Sequence, residues 1–182
     1  YRTTNGGAVW TQLNNANLQN RQFNAVSERG AVIMAASASG LVRSTNTGTS
    51  FTNISGTAGL ATGSVTDLVG DPGNALRFYA AVLGKGIFLS NDGGATWTDV
   101  TAGVTGISGI TSIIRMAVHS NGANDVVYVA VANSGVLAGL FRSANQGGAW
   151  TSLDVPAIHP GGQANPNTSI AADPTDPNIV YI

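Results

Sequence analysis

The sequence predicts an all-β fold in which small four-stranded antiparallel sheets repeat about a common axis. One eight-residue pattern carries most of that prediction. It occurs as Thr3-Thr4-Asn5-Gly6-Gly7-Ala8-Val9-Trp10, Ser44-Thr45-Asn46-Thr47-Gly48-Thr49-Ser50-Phe51, Ser90-Asn91-Asp92-Gly93-Gly94-Ala95-Thr96-Trp97 and Ser143-Ala144-Asn145-Gln146-Gly147-Gly148-Ala149-Trp150. A hydroxyl residue stands first, Asp or Asn third, Gly fifth and an aromatic eighth, and recurrence at long, roughly regular spacing marks repeated supersecondary units. Between the copies, strand-length apolar runs alternate with Gly, Asn and Asp-Pro turns. No segment carries a convincing helical period; Ala31 to Ala38 is Ala-rich but mixes in Val and Ile and is bounded by glycines.

The same four-strand grammar recurs along the chain. A first half-unit, 1–13, supplies the last two strands of a sheet. Whole units follow at about 23–54, 64–100 and 112–153, and 168–182 supplies the first two strands of another. In the unit 64–100 the strands are expected at Ser64 to Pro72, Leu76 to Leu83, Gly86 to Ser90 and Thr96 to Val100, with the eight-residue pattern joining the last two. The ends therefore fit either a ring closed between its two half-units or an excerpt of a longer chain.

Each position of the pattern has a turn chemistry. A short polar side chain at the third position accepts hydrogen bonds from backbone N–H groups ahead of it, which Asn does as well as Asp. Glycine at the fifth allows the positive φ of a tight connection. The aromatic starts the returning strand and turns inward; burying one Trp removes ~150–250 Å² from water, worth up to ~4–6 kcal/mol.

The pattern S/T-x-D/N-x-G-x-x-W/F resembles the Asp box of BNR-repeat β-propellers, a family that includes sialidases, sortilin-type receptors, xyloglucan-cleaving glycoside hydrolases and exported bacterial proteins. The resemblance covers the whole chain. It implies a β-propeller of four-stranded blades, four blade-equivalents in all, forming either a closed ring or part of a larger one. It also implies that Asn5, Trp10, Asn46, Phe51, Asp92, Trp97, Asn145 and Trp150 are structural, because the box is a hairpin on the outer part of a blade, away from the active face.

Composition narrows the function. Charged residues make up 9% of the chain and the net charge is -1, so there is no electrostatic case for nucleic acid or an anionic membrane. No apolar stretch has the length of a membrane span. Cysteine is absent, which excludes thiol catalysis and Cys-built zinc sites. The low-charge, Thr/Asn/Gly-rich composition points to a secreted or cell-surface protein.

In such a fold, ligands sit over the channel mouth, on the face carrying the blade-to-blade connections and the loops between second and third strands. Aligning the inner strands places Asn24, Asp67, Arg115 and Ser169 at one equivalent position, all polar within apolar segments and each four residues before a terminal turn. They are expected either to line the channel or to form a binding site, with Asp67 and Arg115 as its charged members. The longest, least repetitive connection, Asp154 to Asn167, offers His159, Gln163 and Asn165 as further contacts. His119 and His159, far apart and without carboxylates at ligand spacing, make no case for a metal, and no cofactor is implied.

Catalytic signals are thin. Glu28 is the sole glutamate, and Arg2, Arg43 and Arg142 recur just before a box, which reads as structural. Asp67 is one candidate carboxylate for glycoside hydrolysis, but no partner across a cleft is evident. The leading expectation is a non-catalytic extracellular propeller module that scaffolds protein or glycan contacts. A fragment of a xyloglucanase-like glycoside hydrolase and a self-assembling structural subunit are the alternatives, with partner blades drawn from the parent chain or a neighbouring subunit.

Overall fold

A computed structural model describes residues 1–107, 112–120, 125–157 and 162–182, with the side chains of 165 and 166 excepted. Three four-stranded antiparallel sheets run in strict sequence order. The first blade holds β1 (Phe23–Arg29), β2 (Val32–Ser37), β3 (Gly40–Ser44) and β4 (Thr52–Asn53). The second holds β5 (Val65–Gly70), β6 (Phe78–Val82), β7 (Gly86–Ser90) and β8 (Thr98–Asp99). The third holds β9 (Ser112–His119), β10 (Val126–Asn133), β11 (Val136–Ser143) and β12 (Thr151–Leu153).

At the ends, β13 (Ala171–Ala172) pairs with β14 (Val180–Tyr181), and Arg2 bridges Thr11. No ladder joins these two half-units among the described residues. Two short helical turns, Ala16–Leu18 and Ala164–Asn167, interrupt connections that were expected to be irregular. Each turn is held locally: Asn15 Oδ1 accepts the Asn17 N–H, and the Thr168 hydroxyl donates to the Ala164 carbonyl.

The inner strands β1, β5, β9 and β13 lie side by side in that order, so the blades splay outward from one edge. Period-two alternation then puts apolar residues on both faces of each middle blade. On β6, Phe78, Ala80 and Val82 face the first blade and pack with Met34, Ala36 and Leu41, while Tyr79 and Ala81 face Val127, Val129 and Ile114 of the third. This two-sided burial explains why the second strands are apolar runs rather than half-polar strands.

The box aromatics each lie one residue before an outer strand and pack backward onto the preceding unit. Phe51 meets Leu13 and Leu18, and Trp97 joins the cluster of Met34 and Leu41. Trp150 packs on Val100 and donates Nε1–H to its carbonyl at 2.7 Å. The connection before β5 completes the Trp97 seat: Trp97 N–H donates to Ala58 O, and a Cβ on Gly59 would sit 2.1 Å from Trp97 O. Trp10 departs from this pattern and is 60% exposed, against 5% for Trp97, because no unit formed by the described residues lies behind it.

Candidate binding site

The four hairpins share one set of hydrogen bonds. The first-position hydroxyl accepts the N–H of the fifth residue: Gly7 at 3.0 Å, Gly48 at 2.9 Å, Gly94 at 2.7 Å and Gly147 at 2.8 Å. The same hydroxyl donates to the third-position Oδ1, which in turn accepts the seventh N–H: Val9, Ser50, Thr96 and Ala149, at 2.8–2.9 Å. The common set uses a single side-chain oxygen at the third position, so Asn5, Asn46 and Asn145 serve as Asp92 does. Partial burial pushes the Asp92 carboxyl up, but hydrogen bonds from Thr96, Ser90 and Ala95 outweigh it and hold the group down at about 2.

The arginine preceding a box reaches forward to the next one. Arg2 donates to Thr47 O at 2.5 Å and Arg43 to Gly93 O at 2.6 Å, in both cases the fourth residue of the following hairpin. Arg142 instead donates to Pro177 O and Asn178 Oδ1 beside β14. The recurrence of arginine is therefore a staple between neighbouring units.

The mouth lies at the opposite end of the third strands, where the β2–β3 and β6–β7 turns and the connection into β5 converge. Backbone bulges mark it: pairing slips at Asn24 on β1 and at Thr66 on β5, freeing polar groups from the ladder. Asn24 Nδ2 donates to Val65 O at 2.8 Å, and Arg115 Nη1 donates to Thr66 O at 2.5 Å. Asp67 accepts the Met116 N–H at 2.7 Å on one oxygen and the Leu68 N–H at 2.9 Å on the other. Burial raises the Asp67 carboxyl, against the lowering effect of those two N–H groups and of Arg115.

Three of the four aligned positions thus stitch β1 to β5 and β5 to β9. Above them opens a cavity of about 220 Å³. Asn24, Ser64, Thr66 and Arg115 supply its polar groups; Ala38, Leu83 and Ile113 supply its apolar wall. Sequence reasoning did not find Ser64, Thr66 or the three wall residues, since they lie outside the aligned register, in a bulge, at a strand end or in connecting turns.

The structure does not bring Ser169 into this cavity. It is exposed and lines a separate recess with Ile170, Tyr181 and Ile182. Gln163 is exposed and pairs with Asn167. His159 and the Asn165 side chain lie outside the described residues. No cluster of three or more His, Asp or Glu side chains able to hold a metal ion occurs among the described residues, and no described helix is long and apolar enough to cross a membrane.

No protein-family model and no curated protein matches the chain. Solved structures do. An ancestral GH74 enzyme superposes with a TM-score of 0.63 at 20% identity, over 88% of this chain and 21% of the other. The GH74 xyloglucanase from Xanthomonas campestris gives 0.56 at 26% identity, over 83% of this chain and 20% of that one. YCF48 bound to D1 peptide gives 0.52 at 16% identity, over 85% and 44%.

The chain folds as a β-propeller. It spans about one fifth of the length of the two GH74 structures it matches. Within the propeller frame, the 220 Å³ cavity sits at the mouth between the inner strands and the hairpins sit at the far ends of the blades.

Proposed function

We propose that these blades belong to a larger, exported Asp-box propeller and act as a non-catalytic scaffold whose mouth contacts a protein or glycan partner. The observation that carries the non-catalytic reading is the engagement of Asp67. Both of its oxygens accept backbone N–H groups, and neither Asp67 nor any other carboxylate is among the described residues that line the mouth cavity. Two facing carboxylates are the minimum for ordinary glycoside hydrolysis.

A larger ring is supported by the outer face of the first blade. There Leu13, Leu18, Phe23, Val26, Ile33 and Phe51 line an open groove of about 400 Å³, and Val26 is 70% exposed. The corresponding faces of the second and third blades are covered by the blade before them. A further blade is the shape that fits.

A second reading, a segment of a xyloglucan-cleaving hydrolase, draws on the 26% identity to the Xanthomonas enzyme. In that case other blades supply the second carboxylate. The test is reducing-sugar release from xyloglucan by the parent protein, run beside glycan-array binding. Binding without release is the expected result. Release that is lost in Asp67→Asn while the protein stays folded would overturn the non-catalytic reading.

A further inference from the structure

The seam between the second and third blades is built unlike the others. At the neighbouring seams a side-chain N–H donates to backbone carbonyls, Arg29 to Gly70 O and Asp71 O and His119 to Asp173 O; here Arg115 does the same to Thr66 O, and a buried ion-pair cluster is added. Between these two blades lie the ion pairs of the described residues, and they share a single nitrogen. Arg77 Nη1, at the start of β6, contacts Asp71 Oδ2 at 3.0 Å and also Asp125 Oδ2 from the start of β10. Both aspartates are fully buried and Arg77 is nearly so.

The charges do not balance. One guanidinium faces two carboxylates that have no exposed surface, and two carboxylate oxygens seated on one nitrogen are close neighbours. Like charges that close, in a low-dielectric site, cannot both ionise cheaply. We propose that Asp71 and Asp125 hold one proton between them, and that this shared proton latches the second blade to the third. In the protonated form one carboxyl O–H donates to the other carboxylate, and the remaining negative charge is matched by Arg77.

Asp125 has a further interaction of its own, and the described titratable and polar groups around Asp71 and Arg77 have these contacts. Gly73 N–H donates to Asp71 Oδ1, and the Ser120 hydroxyl also bonds to Asp71. Asn91 Oδ1, from the hairpin after β7, takes Arg77 Nε–H and holds the guanidinium in place. Tyr79 on β6 keeps a buried, neutral hydroxyl, raised well above its ordinary value chiefly by desolvation. Arg29 addresses the Asp71 backbone carbonyl rather than its carboxylate, and the His119 ring is turned to Asp173. Burial and then the neighbouring Asp125 raise Asp71 above its ordinary 3.8, in the direction the shared proton requires.

The sign of the pH effect follows. A raised carboxyl keeps its stabilising contribution at and below the ordinary Asp range and loses it as pH climbs through the folded value. Across that window the folded chain holds one more proton than the unfolded chain. The folded-to-unfolded ratio therefore falls by up to tenfold per pH unit.

The test is urea unfolding of the wild-type chain, Asp71→Asn and Asp125→Asn from pH 4 to 9. Each is repeated in an Asp67→Asn background, because Asp67 is raised as well. The wild type is expected to lose stability with rising pH, and either Asn variant, which carries a permanent N–H donor, to lose that slope. A second measurement needs no variant to fold: carboxyl carbon shifts of Asp71 and Asp125 in the wild-type protein. One of the two should stay protonated well above the usual Asp range. Ionisation of both within or below that range, or a slope unchanged in the Asn variants, would overturn the latch.

Discussion

Truncating the same residue type at two copies of the hairpin separates packing from local turn formation. Trp97 is 5% exposed and Trp10 60% exposed, although their hairpins share one hydrogen-bond pattern. Taking a Trp side chain as ~200 Å², Trp97 buries ~190 Å² and Trp10 ~80 Å². At about 25 cal/mol per Å² the difference is ~3 kcal/mol in favour of Trp97 as the costlier loss. The cavity left between the first two blades adds to this, so Trp97→Ala is expected to cost about 3–5 kcal/mol. Trp10→Ala should cost about 2 kcal/mol at most, since an extended reference overstates burial.

The assay is equilibrium urea denaturation followed by far-UV circular dichroism, with m-values compared to exclude a change in the unfolded state. A third variant sharpens the reasoning. Trp97 Nε1 is buried without a hydrogen-bond partner, so Trp97→Phe removes an unsatisfied donor while keeping most of the ring, as Phe51 does naturally. It should fall within about 1 kcal/mol of the wild type. Equal costs for Trp10→Ala and Trp97→Ala, or a Phe variant as damaged as the Ala variant, would refute the claim that inter-blade packing sets the value of these aromatics.

Further expectations follow from single contacts. Gly59→Ala places a methyl against the Trp97 backbone carbonyl at positive φ, where neither can yield, and should cost about 2 kcal/mol or more by thermal unfolding. Arg43→Met orphans Gly93 O in a half-buried seam and should cost about 1–3 kcal/mol, whereas Arg2→Met, at an exposed staple, should stay within about 0.5 kcal/mol. Asp92, held at about 2, contributes above the ordinary Asp range and loses that contribution as pH falls toward 2. Asp92→Asn should retain the neutral-pH fold but flatten the acid limb of a stability–pH curve.

Much of the fold is legible along the chain because it rests on local chemistry. The eight-residue hairpin closes its hydroxyl and Asx hydrogen bonds within itself, and Asn at the third position is as good as Asp because only an acceptor oxygen is shared by all copies. Aligning the inner strands also located three polar positions that reach across the seams between blades, Asn24, Asp67 and Arg115. The alignment could not say what they meet. Their partners are backbone groups of the adjacent blade, 41 to 49 residues away, and bulges at Asn24 and Thr66 shift the register that strict alternation assumes.

What the sequence determined by itself is therefore the repeating unit: its turns, its aromatic anchor, and strands apolar enough to be covered on both faces. Tertiary structure decided how units join. Arginines before the hairpins became staples to the next unit, Arg77 drew two distant aspartates onto one nitrogen, and Trp10 lost the burial its counterparts have. The physical reason is range: turn geometry is settled by neighbours a few residues apart, while burial and charge balance depend on which blade lies alongside.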